Sequence, residues 1–538
     1  MPNAHCIEWL AVPGSGAPQV PQLLRQALFF RLFSPVFPDC GCVFDVPSGG
    51  PLPDGMSQGM VMGWSVGRVR RAWLGFAGCL LFAGAAWAGD YDDGVQFYHD
   101  GVYDKAFAAF SRAAGHGDAA AQSALAAMFY NGEGTERDFA AAAAWYLKAA
   151  ELGNRDAQFS LGELYEAGEG VDKDLKKAAF WYKKAADQGH LMAQTNLAIL
   201  YMEGLGVRHD DARAAALLAA PAREGVALAQ TNLALLYAGG RGVKANSHKA
   251  LEWYQKAAVQ GEAEAQFALG SMYEDGTGVE VNLPVAAAWY RKAAEQGHVQ
   301  AQNNLGRLYM EGSGFTGHED EAFVWFQRAA DKGFAEAQTN LGILYAYGLG
   351  VDQDAAKAVY WYSRAAEQGQ PEGAFFLAEA YYRGEGVERN DKLAVKWYEF
   401  AARKGVPESQ DRLGLMYTNG IGVKQDYARA VSWFRKAARQ GYAQSQNNLG
   451  VLHARGLGVE QDYARAIAWY RKAIAQHLPQ AQFNLGTMYL LGHGVRKDVE
   501  MARYWFMKAA EQGLPEAEKS LERLPKVDED GIDTDLST

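Results

Sequence analysis

Six asparagines recur along the chain at separations of 36 residues or a multiple of 36. They are Asn196, Asn232, Asn304, Asn340, Asn448 and Asn484. A carboxamide both donates and accepts hydrogen bonds, so a row of carboxamides can bind the backbone of an extended peptide without selecting its sequence. The alternative is structural, with each asparagine joining neighbouring copies of a repeated unit. The sequence predicts a candidate peptide groove and leaves the structural alternative open.

Larger side chains close to these asparagines vary from one copy of the spacing to the next. Arg307 and Tyr382 join the asparagines as candidate peptide-groove residues. Further neighbours that could supply specificity are Phe159, Phe267, Phe375, Phe483, Met202 and Met310. From this combination of uniform amides and variable neighbours we expect protein or peptide partners.

Catalytic signatures are missing from the sequence after residue 89. It contains no HExxH zinc motif, no Walker-type phosphate loop and no GxSxG or SxxK serine-hydrolase motif. We therefore expect no enzymatic activity, no cofactor and no metal. One exception is left open. His453, His477 and His493 lie in neighbouring copies of the spacing and could converge on a metal ion; the alternative is that they are surface substitutions.

The charge balance bears on the class of partner. The 538 residues include 52 Lys and Arg against 63 Asp and Glu, which gives a formal net charge of -11. Binding to phosphate backbones depends on a cationic surface. The sequence therefore disfavours nucleic acid as a partner, while its 49% hydrophobic content is typical of a folded chain.

The tryptophan positions indicate what holds the asparagines in place. Ten Trp from Trp145 to Trp505 are separated by 36 residues, except for one gap of 72 in which Leu217 takes the missing position. Leucines from Leu125 to Leu521 recur with the same period. A fixed period of about 20–50 residues is the signature of a repeat architecture. The segment from Leu125 to Leu521 therefore consists of copies of one unit rather than of several unrelated domains.

A single unit predicts two helices. Leu161 and Tyr165 share one helical face, and Gly168 ends that helix where a positive φ is required. Asp174 is typical of the N-cap of a second helix. That helix carries apolar residues with helical spacing, at Ala178, Trp181, Tyr182 and Ala185. The sequence predicts an all-α fold, a right-handed superhelical α-solenoid of stacked antiparallel helix hairpins with a period of 36 residues.

One unit departs from this pattern. In residues 189–224, Leu217 and Leu218 replace the aromatic pair of the other units. Pro221 stands where the other units have a small residue, and we expect it to kink or shorten the second helix.

The motif residues resemble a known repeat family. Leu161, Gly162 and Tyr165 match the LGxxY of tetratricopeptide repeats, and Ala178 with Tyr182 matches their AxxxF. The longer unit, AQxxLGxLYxxGxGV followed by KAxxWYxKAAEQG, resembles the Sel-one-like repeat (SLR) family, which is related to tetratricopeptide repeat solenoids, over residues 117–521. This resemblance implies a protein-protein interaction scaffold that binds polypeptides in a concave groove.

Two other functions remain open within this resemblance. Some cysteine-rich SLR proteins are associated with β-lactam hydrolysis, so a β-lactam or cell-wall hydrolase is one alternative. The disulfide framework of that subgroup is absent here, because no Cys follows Cys79. The other alternative is a structural component of polysaccharide secretion machinery.

Export is predicted by the segment before the repeats. Arg68, Arg70 and Arg71 precede an apolar run that ends in an AxA pattern at residues 86–88, as in a secretory signal peptide. We expect a periplasmic or secreted protein of a Gram-negative envelope, monomeric and without a transmembrane span after cleavage. The alternatives are a retained signal anchor, twin-arginine export and lipidation of Cys79.

These features predict five segments. Residues 1–59 are untranslated or disordered, 60–88 form a signal peptide, and 89–116 form an N-terminal capping hairpin. Residues 117–524 form the SLR solenoid, and 525–538 form a disordered acidic tail.

Overall fold

The computed structural model describes residues 88–312 and 318–524. All regular secondary structure in these residues is helical, with 25 helices and no strand. Consecutive helices pack as pairs that repeat every 36 residues or so. The predicted all-α solenoid of stacked hairpins is confirmed. Residues 1–87 and 525–538 lie outside the described residues. They contain Cys79, the predicted acidic tail and all of the predicted signal peptide apart from Ala88.

Within the described residues the chain divides into two compact units, 88–253 and 254–524. The first unit contains α1 (Ala88–His99), α2 (Tyr103–Gly115), α3 (Ala119–Asn131), α4 (Phe139–Glu151), α5 (Arg155–Ala167), α6 (Leu175–Asp187), α7 (Leu191–Glu203), α8 (Asp211–Arg223) and α9 (Ala227–Gly239). Helix α10 (Ser247–Val259) spans the boundary.

The second unit continues the same pattern of helix pairs. It contains α11 (Ala263–Asp275), α12 (Leu283–Glu295), α13 (Val299–Glu311), α14 (Glu319–Asp331), α15 (Ala335–Tyr347), α16 (Ala355–Glu367), α17 (Pro371–Arg383), α18 (Asp391–Arg403), α19 (Pro407–Asn419), α20 (Tyr427–Arg439), α21 (Ala443–Arg455), α22 (Tyr463–Ile474), α23 (Pro479–Leu491), α24 (Val499–Ala510) and α25 (Pro515–Arg523). From α3 onward we call the first helix of each repeat helix A and the second helix B.

The repeat at residues 155–190 shows why the sequence forms these helices. Asn154 caps helix A by accepting a hydrogen bond from the amide of Ala157 at 2.8 Å. Helix A ends at Gly168, whose φ of 78° places it in the left-handed region. Asp174 then caps helix B by accepting from the amides of Lys176 and Lys177. The predicted roles of Gly168 and Asp174 are confirmed.

The two helices of a repeat pack through one small residue and one ring. Tyr182 of helix B is fully buried and lies against Gly162 of helix A, where a Cβ atom would come within 2.6 Å of the ring. This contact explains why Gly or Ala follows the motif Leu, since a larger side chain would separate the helices.

The tryptophans lie at the edge of the core rather than at its centre. Most of the indoles are half-buried, whereas the Tyr or Phe that follows each of them is almost fully buried. Several indoles also carry a cation over the ring, as for Lys148 at 3.7 Å from the Trp145 ring centre and Lys436 at 3.9 Å from that of Trp433. The 36-residue period of the tryptophans therefore follows the stacking of the repeats. The Tyr or Phe next to each indole fills most of the core.

Successive repeats are joined by glutamines, of which Gln158 is buried and Gln188 is exposed. Gln158 of one repeat donates to the carbonyl of Ala150 in the preceding repeat at 3.0 Å. Gln188 donates to Gln158 at 2.8 Å and to the carbonyl of Gly153 at 3.2 Å. The carbonyls of Ala150 and Gly153 lie at and just beyond the end of the preceding helix B, where carbonyls have no partner within the helix. The AQ and EQG motifs of the sequence are thus the polar link between repeats.

The degenerate repeat keeps the common geometry. Helix α8 contains Pro221 and still spans 13 residues, as its neighbours do. Of the two effects predicted for Pro221, the shortening of this helix is therefore wrong, and the kink stays a prediction. The proline lies in the last turn, so it removes a single hydrogen bond near a helix end. Leu218 replaces the core ring and is fully buried.

Candidate functional site

The six predicted asparagines all lie on A helices, one residue before the motif Leu. Three of them bond the neighbouring repeat through the side-chain amide. The Nδ2 atoms of Asn340, Asn448 and Asn484 donate to carboxamide or carboxylate oxygens of the preceding repeat. The acceptors are Asn303 at 3.0 Å, Asp411 at 3.2 Å and Asn447 at 2.8 Å.

Of the other three asparagines, two contact a tyrosine of the preceding repeat and one bonds its own helix. Asn196 and Asn304 interact with the hydroxyls of Tyr182 and Tyr290 on the preceding helix B, which belongs to the preceding repeat. Asn232 donates to the carbonyl of Leu228 in its own helix at 2.8 Å. Part of each carboxamide is therefore engaged in holding the solenoid together. Binding of a peptide backbone by the remaining donors and acceptors stays a prediction.

A simple sequence relationship separates these two groups. Each asparagine whose amide bonds the preceding helix A has an Asn or Asp 37 residues earlier. The other three have Phe159, Thr195 and Phe267 at that distance. An Asn or Asp at this position therefore goes with a bond between two A helices, whereas Asn196 and Asn304 contact a tyrosine of the preceding helix B instead. Comparison of neighbouring repeats in the sequence could have found this signal.

Arg307 is placed on the predicted face, but its charge is already neutralised. It is buried and forms ion pairs with Glu274 of the preceding repeat and, at 2.8 Å, with Glu311 of its own helix. The hydroxyl of Tyr290 also donates to Glu274 at 2.7 Å. The guanidinium therefore links two A helices, and a ligand would have to displace a carboxylate to reach it.

Tyr382 lines a pocket between two successive A helices. The pocket is a shallow, partly open depression between α17 and α19. Its lining includes Tyr382, Tyr398, Arg412, Leu415, Asn419 and Ile421. We call it the Arg412 pocket. It combines aromatic and aliphatic walls with one guanidinium and one amide.

A carboxylate organises the base of the Arg412 pocket. Glu379 accepts from the Nε of Arg412 at 2.7 Å, from the Nε of Arg383 at 3.1 Å, and from the hydroxyl of Tyr398. Burial, followed by the charge of Glu379, raises the pKa of Tyr398 well above its usual value, so this hydroxyl remains a donor. One carboxylate thus holds two arginines from successive A helices.

The residue before Arg412 has a separate role. The Asp411 carboxylate accepts from Ser445 at 2.6 Å and from Asn448, and only 6% of the residue is exposed. Burial raises its pKa to about 6 against the lowering effect of these hydrogen bonds. Asp411 therefore faces the following repeat, whereas Arg412 faces the preceding one.

Sequence reasoning missed Arg412 and Glu379. Arg412 stands directly before Leu413 and Gly414, at the position that holds Asn in six other repeats. A charged residue that replaces a recurring amide was the available signal. Glu379 could not have been singled out, because its importance comes from contacts that only the stacking creates.

A second charged group lies on the A helices of unit 88–253. Glu163 remains accessible to solvent, yet desolvation by the surrounding protein and the nearby carboxylates of Glu166 and Glu169 raise its pKa to about 7. Glu166 accepts from the hydroxyl of Tyr182 at 2.7 Å, and Glu169 accepts from that of Tyr130 at 2.8 Å. The A-helix face is therefore anionic here and carries paired cations near Arg412.

The three histidines considered as metal ligands do not form a common site. No group of three or more His, Cys, Asp or Glu side chains able to hold a metal lies within residues 88–312 and 318–524. His453 is buried at the aromatic position of its repeat, His477 lies in a turn with a φ of 59°, and His493 stacks on Tyr463 at 4.6 Å. Among the described helices, none is long and apolar enough to cross a bilayer.

Comparison with known proteins agrees with the helix pairs. The family model described as Sel1 repeat matches eleven consecutive segments, at 119–154, 155–190, 191–225, 227–262, 263–298, 299–334, 335–370, 371–406, 407–442, 443–478 and 479–514. Each segment contains one helix A and one helix B. No curated protein matches the chain.

Two solved structures are similar to the chain. The first is c5321, a protective antigen present in uropathogenic Escherichia coli strains that displays an SLR fold; it is 37% identical, with a TM-score of 0.70, over 78% of this chain and 90% of that one. The second is a Sel1 repeat protein from Oxalobacter formigenes, 33% identical, with a TM-score of 0.47, over 57% of this chain and 89% of that one. Solenoids of this kind are typical of protein-protein interaction scaffolds and are generally non-catalytic. The chain belongs to the Sel1 repeat family, which is related to the tetratricopeptide repeat solenoids.

Proposed function

We propose that this protein is an exported scaffold that holds polypeptide segments along its A-helix face. The observation that carries the proposal is the contrast between two positions of helix A. The motif Leu is the same in every repeat, from Leu125 to Leu485. The position two residues later changes from repeat to repeat and is at least partly exposed in most of them: Glu163, Ile199, Leu235, Ser271, Arg307, Ile343, Glu379, Leu415, Val451 and Thr487.

This contrast supports a recognition surface. A repeat that served only to extend the solenoid would need the same residue at equivalent positions, because each repeat stacks on a similar neighbour. Variation at a position that solvent reaches allows each repeat to contact a different part of a partner. A polypeptide held on unit 88–253 would meet an acidic surface near Glu163, and one held on unit 254–524 would meet the Arg412 pocket.

Export to the periplasm or beyond forms the second half of the proposal. Its support is the arginine-rich start, the apolar run and the AxA pattern at residues 86–88. All four Cys of the chain precede residue 80, so removal of the leader would leave a chain that cannot form disulfides in an oxidising compartment. The proposal assigns no catalytic step to the scaffold, which acts as a monomer in a Gram-negative envelope.

Site-specific photo-crosslinking tests the binding surface. A photoreactive phenylalanine derivative would replace Tyr382 on helix A or, as the control, Tyr360, which is 52% exposed on helix B. We expect polypeptides from envelope extracts to become attached at position 382 and much less at position 360. Equal labelling at both positions, or none at 382, would contradict a groove on the A-helix face.

Mass spectrometry of the N-terminus tests the export. We expect the protein recovered from a periplasmic or secreted fraction to begin at Gly89. Recovery of the intact leader in a cytoplasmic fraction would contradict this half of the proposal without affecting the groove.

A further inference from the structure

Two neighbouring B helices carry cations and no anions. Helices α20 and α22 both pack against α21, and neither contains an Asp or a Glu. Of their seven cations, Arg429 and Arg465 pair with the capping residues Asp426 and Asp462. The other five are all exposed, and we call them the cationic B surface. They are Arg435, Lys436, Arg439, Arg471 and Lys472.

Equivalent positions on another B helix are neutralised. Lys183 of α6 stands at the position of Arg435 and pairs with Asp187, one turn later, at 2.6 Å. In α20 the position of that acid holds Arg439, and in α22 it holds Ala475. Like charges four residues apart destabilise a helix. Helix α20 therefore carries an excess of positive charge that its own fold does not require.

This excess charge has no partner on the repeats themselves. In the part of the chain that the structure describes, no carboxylate lies within 4 Å of any residue of the cationic B surface. Arg435, Arg439 and Arg471 also make no side-chain hydrogen bond to a described residue. Three guanidinium groups are therefore available to carboxylates, which they bind through paired, charge-assisted hydrogen bonds.

The cationic B surface is charged without being apolar. Lys436 and Lys472 lie over the rings of Trp433 and Trp469, at 3.9 Å and 4.3 Å from the ring centres. Neither helix exposes a large apolar side chain, and exposed neighbours of the cations are small, as at Ser432. A bilayer surface or an apolar protein partner would require such an anchor. The surface therefore suits a segment that is bound by its negative charges.

The acidic tail of the same chain has the matching charge. Its composition predicts no folded core of its own, so charge is the main interaction that it offers. Residues 525–538 contain a single lysine against five acidic residues, which are Asp528, Glu529, Asp530, Asp533 and Asp535.

The acidic tail is also long enough to reach the surface. It follows Leu524, beyond the end of α25, which packs against α24. The helices α24, α23, α22, α21 and α20 pack in succession within unit 254–524. At about 8–10 Å for each contact, α20 lies at most about 40 Å from α24. Residues 525–538 span up to about 46 Å when extended. Attachment to the same chain also gives the tail a high effective concentration at the surface.

We propose that residues 525–538 bind the cationic B surface of their own chain, with their carboxylates on Arg435, Arg439 and Arg471. The site lies on the B helices, so the proposal goes beyond the scaffold function and does not depend on the A-helix face. The bound tail would neutralise this surface and keep other anionic molecules from it.

A variant confined to the tail tests the proposal without changing the repeats. Phenylglyoxal modifies accessible arginines, and peptide mass spectrometry of the full chain gives the rate at each position. In the variant we expect Arg435, Arg439 and Arg471 to react about fivefold faster, as if the wild-type tail covered them for about four-fifths of the time. The variant combines Asp528→Asn, Glu529→Gln, Asp530→Asn, Asp533→Asn and Asp535→Asn.

Three controls separate pairing from general effects of charge. Arg328 is exposed on α14, three repeats before α20, and should react at the same rate in both proteins. Glu516→Gln combined with Glu518→Gln removes two exposed acids of α25 and should leave all rates unchanged. Sodium chloride at about 0.5 M shortens the Debye length to about 4 Å, so it should raise the wild-type rates to those of the tail variant.

Each alternative has its own outcome. Equal rates in wild type and the tail variant at low salt would overturn the proposal, as would an increase at Arg328 as large as that at the three arginines. Protection that strengthens with protein concentration between about 1 µM and 50 µM would assign the surface to the tail of a second copy and would also overturn it. Protection that is independent of concentration and lost in the tail variant supports binding within one chain.

Discussion

The carboxylate of Glu379 lies 2.7 Å from the Nε atom of Arg412, which joins two successive repeats by an ion pair on their A helices. The two side chains are only 12% and 26% exposed. An ion pair that solvent reaches so little resists removal of either partner, because the remaining charge is left without compensation. This pair therefore stabilises the stacking as well as shaping the pocket beside it.

The first prediction concerns this ion pair. Glu379→Gln should lower the free energy of unfolding by about 2 kcal/mol, because both Arg412 and Arg383 lose their carboxylate. Glu399→Gln is the matched control, since Glu399 pairs with Arg403 on an exposed surface at 2.6 Å and should contribute less than about 0.5 kcal/mol. Urea denaturation followed by circular dichroism measures both. Similar losses in the two variants would show that burial does not govern the strength of these pairs.

Individual repeats show how far the sequence determines the fold. The period, the αL glycine at position 168 and the cap at Asp174 depend on local chemistry, so they could be predicted from one unit. The partners of the A-helix side chains could not. Tyr182 finds its acceptor at Glu166, whereas Tyr398 finds its acceptor at Glu379, one helical turn earlier in the repeat.

The candidate site was harder to predict than the fold for the same reason. Whether an asparagine bonds the preceding helix A depends on the residue 37 positions earlier, as Asn303 shows for Asn340. Whether Arg307 is available to a ligand depends on Glu274 in the preceding repeat. These contacts depend on two neighbouring repeats together, so they cannot be predicted from the consensus of a single repeat.

A second prediction concerns the turn glycines. Gly386 has a φ of 73°, and a Cβ atom there would lie 2.1 Å from the carbonyl oxygen of Ala355 in the preceding repeat. Gly386→Ala should therefore cost about 3 kcal/mol or more, from backbone strain and from the clash together. Gly369→Ala is the control, because Gly369 has a φ of 89° with no atom within 4 Å of the added Cβ, and only the strain of about 1 kcal/mol remains.

Hydrogen exchange provides the measurement for the glycine pair. Protection of the amides in the helix Ala355–Glu367 should fall much further in Gly386→Ala than in Gly369→Ala. Equal protection in the two variants would mean that the turn does not transmit the contact to the preceding repeat.

A third prediction follows from the raised pKa of Asp411, which burial lifts to about 6. An acid whose pKa is higher in the folded state binds more protons when folded, so its contribution to stability falls as the pH rises from about 4 to about 6 and stays constant above that. Asp411→Asn keeps an oxygen that can accept from Ser445 and Asn448. It should stabilise the protein by about 2–3 kcal/mol at pH 7 and by much less at pH 4.

Thermal unfolding of wild type and Asp411→Asn between pH 4 and pH 7 tests the titration. We expect the two melting temperatures to diverge as the pH rises. A variant that is less stable than wild type at pH 7 would show that the hydrogen bonds to the charged carboxylate outweigh its desolvation.

The fourth prediction concerns His453, which occupies the position of the motif Tyr and is 5% exposed. Its Nδ1 atom is buried without a hydrogen-bond partner among the described residues, and burial followed by the charge of Arg465 lowers the pKa of the ring. In the preceding repeat, Tyr417 receives the guanidinium of Arg429 at 5.6 Å from its ring centre, and Arg465 is the equivalent arginine 36 residues later.

His453→Tyr should therefore raise the free energy of unfolding by about 1–2 kcal/mol, because it removes an unpaired polar atom and creates a cation-π contact with Arg465. The gain should grow as the pH falls below about 6.5, since a histidine whose pKa is lowered by folding loses stability when the unfolded state takes up a proton. His248→Tyr, at an exposed position of a B helix, should change stability by less than about 0.5 kcal/mol. Chemical denaturation at pH 5.5 and pH 7.5 measures both variants, and a His453→Tyr protein that unfolds earlier than wild type at both pH values would show that this repeat is packed around the smaller ring.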